Sequence, residues 1–239
     1  MPGTRSFPTT HWSLILSSSS DAATEAETAL AELCRIYWYP VYSFIRARVS
    51  SPEQAQDLTQ DFFLQLLDRH MFASANPAAG RFRSFLITSL RHFLADQADR
   101  RSAQKRGGDM ISVPIDLAAA EQRFVCDLQY RDTPEKVFDR QWALTLVTQA
   151  CEQLRDALAR EGKGRLFHHV RSFLPGGSDP PSYADLATEL KTTESSVKVT
   201  IHRLRRRYRE LLRANVSHTL ADPKEVDDEI RFLLNSLSA

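Results

Sequence analysis

The stretch SYADLATELKTTESSVKVTIHRLRRRY, from Ser182 to Tyr208, decides how this sequence is interpreted. Ser182 and Thr193 are residue types that favour the N-cap of a helix, so each predicts a helix start. Small Ala187 would let two helices approach closely. The pattern predicts a helix–turn–helix arrangement, with a generic helical hairpin as the alternative. The inward-facing residues of the two helices are Leu186, Ala187, Leu190, Val197, Ile201 and Leu204.

The second of these helices is strongly basic, which predicts contact with DNA. In a helix–turn–helix, the first residues of the second helix reach base edges, and later basic residues reach phosphates. An ordinary solvated basic face is the alternative. The candidates for base contact are Ser195, Ser196, Lys198 and Val199. The candidates for backbone contact are Thr200, His202, Arg203, Arg206 and Arg207.

Composition limits the classes of function. The chain has 239 residues, 42% of them hydrophobic, and a formal net charge of only +1. Any nucleic-acid binding must therefore come from local basic clusters, which occur at Arg91–Arg106 and Val197–Arg213. Acidic residues are concentrated elsewhere, at Ala221–Ile230.

The cysteines, Cys34, Cys126 and Cys151, are few and far apart, with no CxxC pair. A disulfide framework or a cysteine zinc site is not expected, and a reducing compartment fits. The N-terminal residues lack the apolar region of a signal peptide, and no run approaches the length of a membrane span. We expect a cytoplasmic protein without membrane insertion.

Apolar residues recur at three- and four-residue steps along most of the chain, which predicts an all-α fold. The expected organisation is an N-terminal helical domain at 1–109, a flexible linker at 110–133 with a short helix near Ala118 to Phe124, and a helix–turn–helix domain at 134–239. Pro40 should kink or end the first long helix. Further helix starts are predicted at Ser51-Pro52, Thr133-Pro134 and Asp222-Pro223.

The C-terminal helix has one apolar face and one acidic face. Val226, Ile230, Leu233 and Leu237 form the apolar face, opposite Glu225, Asp228 and Glu229. One interpretation is that this helix completes the core of the C-terminal domain. The other adds that its acids screen the basic recognition helix from non-specific DNA.

Motifs of catalysis are missing from the sequence, so neither an enzyme nor a bound cofactor is expected. His168 and His169 are adjacent and would point about 100° apart on a helix, which disfavours a shared metal. The segment Gly162–Arg165 lacks the glycine spacing of a phosphate loop, and there is no HExxH or GxSxG motif.

Three segments, in order, resemble those of a known family. LCRIYWYPVYSFIRARVSSPEQAQDLTQDFFLQLLD at 33–68 is similar to the core-docking segment of extracytoplasmic-function sigma factors of bacterial RNA polymerase. GRFRSFLITSLRHFLADQADRRSAQKR at 80–106 is similar to their promoter-melting and −10 segment. SYADLATELKTTESSVKVTIHRLRRRYRELL at 182–212 is similar to their −35 segment. The resemblance implies binding to core RNA polymerase and promoter DNA, and possible control by an anti-sigma factor.

The resemblance also implies site residues. The polymerase-docking face would comprise Asp57, Gln60, Asp61, Phe63 and Gln65. In FRSFLITSLRHF, arginines alternate with phenylalanines, a pattern suited to single-stranded DNA, although two of Phe82, Phe85 and Phe93 are expected in the core. The residues assigned to −10 DNA are Asn76 in the base-binding loop, His92 at a position where relatives often carry asparagine, and Arg81, Arg83, Arg91, Arg100 and Arg101.

Two other classes remain open. A stand-alone helix–turn–helix regulator would bind DNA as a dimer without stable contact to polymerase. A helical interaction or anti-regulator protein would use the basic helix to bind an acidic protein. The DLTQDFF segment favours a sigma factor over both, and co-purification with core polymerase separates the three.

Overall fold

Helices make up most of the described part of the chain. In the computed structural model the described residues are 23–67, 81–103, 120–122, 124, 132–174, 177 and 179–238. The helices are α1 (Ala23–Arg46), α2 (Pro52–Leu67), α3 (Phe82–Ala103), α4 (Pro134–Arg160), α5 (Gly164–Val170), α6 (Tyr183–Glu189), α7 (Glu194–Ser217) and α8 (Val226–Ser238). Within these ranges β-structure is limited to one bridge, between Arg81 and Leu220. The all-α prediction is confirmed.

Side-chain caps begin several helices where the sequence predicted them. The Gln54 amide donates to Ser51 Oγ at 3.2 Å, the Asp185 amide to Ser182 Oγ at 3.1 Å, and the Ser196 amide to Thr193 Oγ1 at 3.2 Å. Asp222 and Thr133 accept equivalent bonds at the starts of their helices. Each cap satisfies an amide that has no partner inside its helix.

The chain forms two compact units, residues 1–143 with 217–239, and residues 144–216. The boundary between them falls within α4, and the C-terminal residues return to the first unit. This division differs from the predicted one, which assigned 134–239 to a single domain. The amide of Phe82 donates to Thr219 O at 3.0 Å, and the bridge joins Arg81 to Leu220. These bonds connect the start of α3 to the segment before α8.

Aromatic side chains fill the core of the first unit. The ring of Tyr37 meets Phe82 edge-on at 5.0 Å and stacks on Phe138 at 6.0 Å, and Phe62 meets Phe93 at 5.5 Å. Such pairs add specific geometry to the burial of large apolar area. Phe82 and Phe93 are buried, as expected for two of the three phenylalanines of α3.

Pro40 does not end the first helix, contrary to one of the two predicted outcomes. α1 continues through it to Arg46. A proline inside a helix removes one backbone hydrogen bond and costs roughly 3 kcal/mol. Burial of Tyr37, Val41 and Phe44 on either side of Pro40 offsets that cost.

Part of the predicted linker packs into the first unit. Ala120 and Phe124 are buried. Glu121 accepts a hydrogen bond from Tyr42 Oη at 2.7 Å and an ion pair from Arg46 Nη2 at 2.8 Å. The expected short helix is present at 120–122 and 124, where the residues are helical.

The second unit contains the end of α4, α5, α6 and α7. Tyr208 of α7 is buried and donates to Val147 O of α4 at 3.4 Å, and Arg205 Nε donates to Phe173 O at 3.0 Å. Gly162 ends α4 with φ +72°, a conformation that glycine adopts at little cost. The predicted inward-facing residues Leu186, Ala187 and Val197 are buried.

Candidate nucleic-acid interface

A tight turn joins α6 to α7. Lys191 has φ +51°, the left-handed conformation usually taken by glycine. The Lys191 amide donates to Thr188 O at 3.2 Å and the Thr192 amide to Ala187 O at 2.9 Å. This pair of bonds is a Schellman motif, which satisfies the last carbonyls of α6. The turn therefore forms without glycine, although the left-handed backbone conformation costs lysine more free energy than it costs glycine.

The first turns of α7 present the residues expected to contact bases. Ser195, Ser196 and Lys198 are exposed, and Val199 is 46% exposed although it is apolar. Lys198 Nζ lies 3.5 Å from Glu194 Oε2 and 5.5 Å from the centre of the Tyr183 ring. These two partners orient the lysine along the start of the helix.

The later basic residues of α7 differ in their partners. Arg203 and His202 are exposed, whereas Thr200 is half-buried. Arg206 Nε pairs with Glu210 at 2.9 Å, and Arg207 Nη1 pairs with Glu161 at 2.6 Å. The hydrogen bond from Arg207 lowers the pKa of Glu161. Exposed pairs of this kind are weak, so phosphate can replace either carboxylate at small cost.

In the first unit, the middle of α3 has a second exposed basic group. Arg91 is exposed and its Nη2 lies 3.1 Å from Glu135 Oε1. Glu135 is shared with Arg48, whose Nη2 lies 2.9 Å from the same oxygen. His92, beside Arg91, is also exposed.

The start of α3 is different, because its two arginines are held by carboxylates. We define the Arg83 network as Arg81, Arg83, Asp139, Glu225 and Glu229. Arg83 Nε lies 2.8 Å from Glu229 Oε1, and its Nη1 lies 3.2 Å from Asp139 Oδ1. Arg81 reaches Glu225 Oε2 and Glu229 Oε2, both at 3.2 Å. The arginines predicted to contact DNA at this end of α3 are therefore occupied.

The centre of the Arg83 network is buried. Arg83 is 8% exposed and Glu229 1% exposed. The guanidinium of Arg83 lies 3.7 Å from the centre of the Phe232 ring. Burial, with the nearby carboxylates of Glu229 and Glu135, raises the pKa of Asp139 to about 6, although Arg83 acts in the opposite direction.

The prediction for the acidic face of the C-terminal helix is wrong at Glu229. Asp228 is exposed, but Glu229 is buried beside Val226 and Leu233. A buried carboxylate requires opposite charge, and Arg81 and Arg83 of the first unit supply it. Glu229 of α8 and Glu225, just before α8, therefore pair with the start of α3, whereas the predicted screening role required these acids beside the recognition helix. Asp228 pairs with Arg231 of α8 itself.

The exposed side of α2 carries the residues expected to dock on polymerase. Asp61 and Gln65 are exposed. Leu64, between them in the sequence, is 50% exposed although it is apolar. The other predicted docking residues, Asp57, Gln60 and Phe63, are half-buried. Asn76 and the side chains of Arg100 and Arg101 lie outside the described residues.

Sequence reasoning missed the acidic partners, Asp139, Glu161 and Glu229. The sequence carries a signal for Glu229, because it lies three residues after Val226 and four before Leu233. Those spacings place a charged residue on the apolar face of a helix, where it needs a buried partner. Glu161 has no comparable signal, since it lies between Arg160 and Gly162 at the end of α4.

Side chains of His, Cys, Asp and Glu nowhere gather in groups of three or more that could hold a metal ion in the described part of the chain. No helix among the described residues combines the length and the apolar character of a membrane span.

Comparison with known families gives a match in the first unit. Residues 37–104 match the family model for Sigma-70 region 2. The match includes α2, α3 and the second half of α1, all in the first unit. The chain thus contains a Sigma-70 region 2 domain, which supports a factor of the sigma-70 family, a family concerned with promoter recognition and RNA polymerase binding. Comparison with curated proteins and with solved structures gives no match.

Proposed function

We propose that this chain is a sigma factor of the extracytoplasmic-function type, which binds core RNA polymerase and directs initiation at promoters with −10 and −35 elements. The observation that carries the proposal is the Sigma-70 region 2 match in a chain that also has an exposed basic helix joined by a tight turn to a short one. RNA synthesis belongs to the polymerase, so the chain itself needs no catalytic group or cofactor. It acts in the cytoplasm and is open to control by an anti-sigma factor.

In this proposal α7 reads the −35 element. Side chains at the start of a recognition helix contact base edges, and basic residues further along contact phosphates. The exposed methyl groups of Val199 suit the methyl group of thymine, and Lys198 suits guanine. Arg206 and Arg207 exchange their carboxylate partners for phosphates. The proposed base contacts are Ser195, Ser196, Lys198 and Val199, and the proposed backbone contacts are Thr200, His202, Arg203, Arg206 and Arg207.

The −10 element is assigned to α3 and the loop before it. Arg91 and His92 are exposed, and replacing the Glu135 contact of Arg91 with phosphate costs little, because the pair is half-exposed. Arg100, Arg101 and Asn76 complete the proposed surface. Arg81 and Arg83 belong to it only in a state in which the Arg83 network is open.

Docking on polymerase is assigned to the exposed side of α2. A half-exposed leucine between polar residues favours a protein contact, because burying it on binding gains apolar area while Asp61 and Gln65 set the orientation. Leu64 thus joins Asp57, Gln60, Asp61, Phe63 and Gln65 on the proposed surface.

Transcription from a promoter library tests the proposal. Purified chain and core polymerase should yield promoter-dependent run-off transcripts, whereas core polymerase alone should not. Leu64→Asp should weaken binding to core polymerase without changing the thermal melt. Leu234→Asp is the matched control, since Leu234 of α8 is 51% exposed and Leu64 is 50% exposed. No initiation from any library member at saturating protein would remove the proposal.

A stand-alone helix–turn–helix regulator is the second candidate. It is favoured by the placement of α6, the turn and nearly all of α7 within one compact unit. Such a protein would bind a specific duplex without polymerase. Co-purification of the chain with core polymerase excludes this candidate, and specific duplex binding with no polymerase contact establishes it.

A further inference from the structure

The arginines at the start of α3 already contact carboxylates. The three guanidinium nitrogens of Arg83 each face a carboxylate oxygen, Nε and Nη2 on Glu229 and Nη1 on Asp139. The Phe232 ring covers the guanidinium. Arg81 is held by Glu225 and Glu229. Both residues lie within the segment that matches Sigma-70 region 2.

The partners that occupy these arginines come mainly from α8 and the short turn before it. Glu225 and Glu229 carry two negative charges to the two arginines, and Asp139 of α4 adds a third. Carboxylate and phosphate compete for the same forked donors of arginine. A phosphate chain can therefore reach Arg83 only after Glu229 has left it, and it competes with Glu225 and Glu229 for Arg81.

Glu229 cannot leave alone at low cost. It is buried on the same face of α8 as Val226 and Leu233, so its departure without the helix would leave a buried charge or a cavity. Movement of α8 together with the short turn before it instead carries Glu225, Glu229 and Phe232 away from the arginines at the same time. The two arrangements, with α8 bound or displaced, are therefore distinct states.

We propose that α8, together with the short turn before it (Pro223–Glu225), covers the start of α3. Glu225 and Glu229 occupy the arginines that the phosphates of single-stranded DNA require. The first unit then binds a DNA strand at Arg81 and Arg83 only when α8 is displaced. The choice of ligand rests on the proposed function, whereas the competition rests on the Arg83 network itself. In the full chain, Glu225 and Glu229 balance the two positive charges of Arg81 and Arg83 until a DNA strand competes for these arginines.

The test compares Glu229→Gln with Asp228→Asn in the full chain. Binding to a fluorescent oligothymidine is followed by anisotropy at increasing salt. Each phosphate contact on a single strand adds roughly 0.7 to the salt slope, so two released arginines add about 1.4. Between 50 and 200 mM salt, the fold-decrease in oligothymidine affinity should therefore be roughly seven times larger for Glu229→Gln than for the parent. At 50 mM salt Glu229→Gln should bind more tightly than the parent. Asp228→Asn removes the same charge from an exposed site that contacts Arg231, and should leave the slope unchanged.

Glu225→Gln is the alternative variant if Glu229→Gln fails to fold. Glu225 is half-exposed and contacts Arg81, so its loss should add about 0.7 to the slope. In an Arg81→Gln background this gain should disappear. Hydrogen exchange supplies a second readout, because amides of 226–238 in the parent should exchange faster when oligothymidine is bound.

The results separate this proposal from the proposed function. The proposed cover is wrong if Glu229→Gln and Glu225→Gln bind oligothymidine with the same salt slope as Asp228→Asn, and if hydrogen exchange in 226–238 does not change on binding. If the parent also initiates transcription, the sigma function then stands without it. If the glutamine variants show steeper salt slopes but the chain never supports initiation, the cover is retained and the sigma function is wrong.

Discussion

Replacement of Asp139 by asparagine should change how the stability of the first unit depends on pH. Asp139 shares Arg83 with Glu229, and the contact to Glu229 is the shorter one, at 2.8 Å against 3.2 Å. Burial is the main reason that the pKa of Asp139 rises from 3.8 to about 6, and Glu229 and Glu135 add to the rise. Near neutral pH the folded protein must keep this carboxylate ionised in a poorly hydrated place.

The sign and size of the effect follow from proton linkage. The folded chain holds the Asp139 proton up to about pH 6, whereas the unfolded chain releases it near 3.8. The free energy of unfolding therefore decreases as pH rises from about 4 to about 7. A difference of roughly two pKa units corresponds to about 3 kcal/mol, which is an upper bound because the side chain is 17% exposed. We expect a measured contribution of about 1–3 kcal/mol.

Urea unfolding followed by tryptophan fluorescence measures this contribution. The three tryptophans, Trp12, Trp38 and Trp142, all lie within residues 1–143, so the signal reports on the first unit. Between about pH 5 and about pH 7.5 the parent should lose up to about 1.4 kcal/mol relative to Asp139→Asn, because about half of the effect falls below pH 5. Asp228→Asn, which removes a charge from an exposed site, should follow the parent. If the parent and Asp139→Asn give parallel curves, burial does not control this carboxyl group.

Three further changes test other parts of the molecule. Lys191→Gly should raise the free energy of unfolding of the second unit by up to about 1 kcal/mol, because φ is +51° there; a decrease in thermal melts would contradict the turn geometry. Asp61→Arg should weaken binding to core polymerase with an unchanged melt, and unchanged affinity would move the docking surface elsewhere. Lys198→Ala should relax sequence preference, whereas Arg203→Ala should weaken binding to every duplex and reduce the salt slope by about 0.9. If both variants lose the same affinity for every duplex sequence, Lys198 does not contact bases.

The positions of the helices were predictable because local chemistry sets them. Ser51, Ser182 and Thr193 accept amide hydrogen bonds where the sequence predicted caps. Apolar stripes spaced at three and four residues, such as Leu58, Phe62 and Leu66, are buried as expected. Both signals depend only on neighbours along the chain, so a single sequence contains them.

The exposure of the proposed interface was predictable in part. Lys198, Arg203 and Arg91 are exposed, as residues that contact DNA must be. Arg83 carries the same sequence signal, an arginine between phenylalanines, but is buried under Phe232. The sequence cannot separate these cases, because the partners of Arg83 lie far away along the chain.

Tertiary structure alone decided which unit the C-terminal helix joins. From the sequence, the apolar face of α8 had to pack somewhere, and its acids were expected to stay exposed. The folded chain instead placed Glu229 against Arg81 and Arg83, more than a hundred positions earlier in the chain. Amphipathic spacing shows that a face will be buried but not what buries it, since apolar contact is not directional. The buried ion pairs of Glu229 determine where α8 packs, because a buried carboxylate is stable only beside a group of opposite charge.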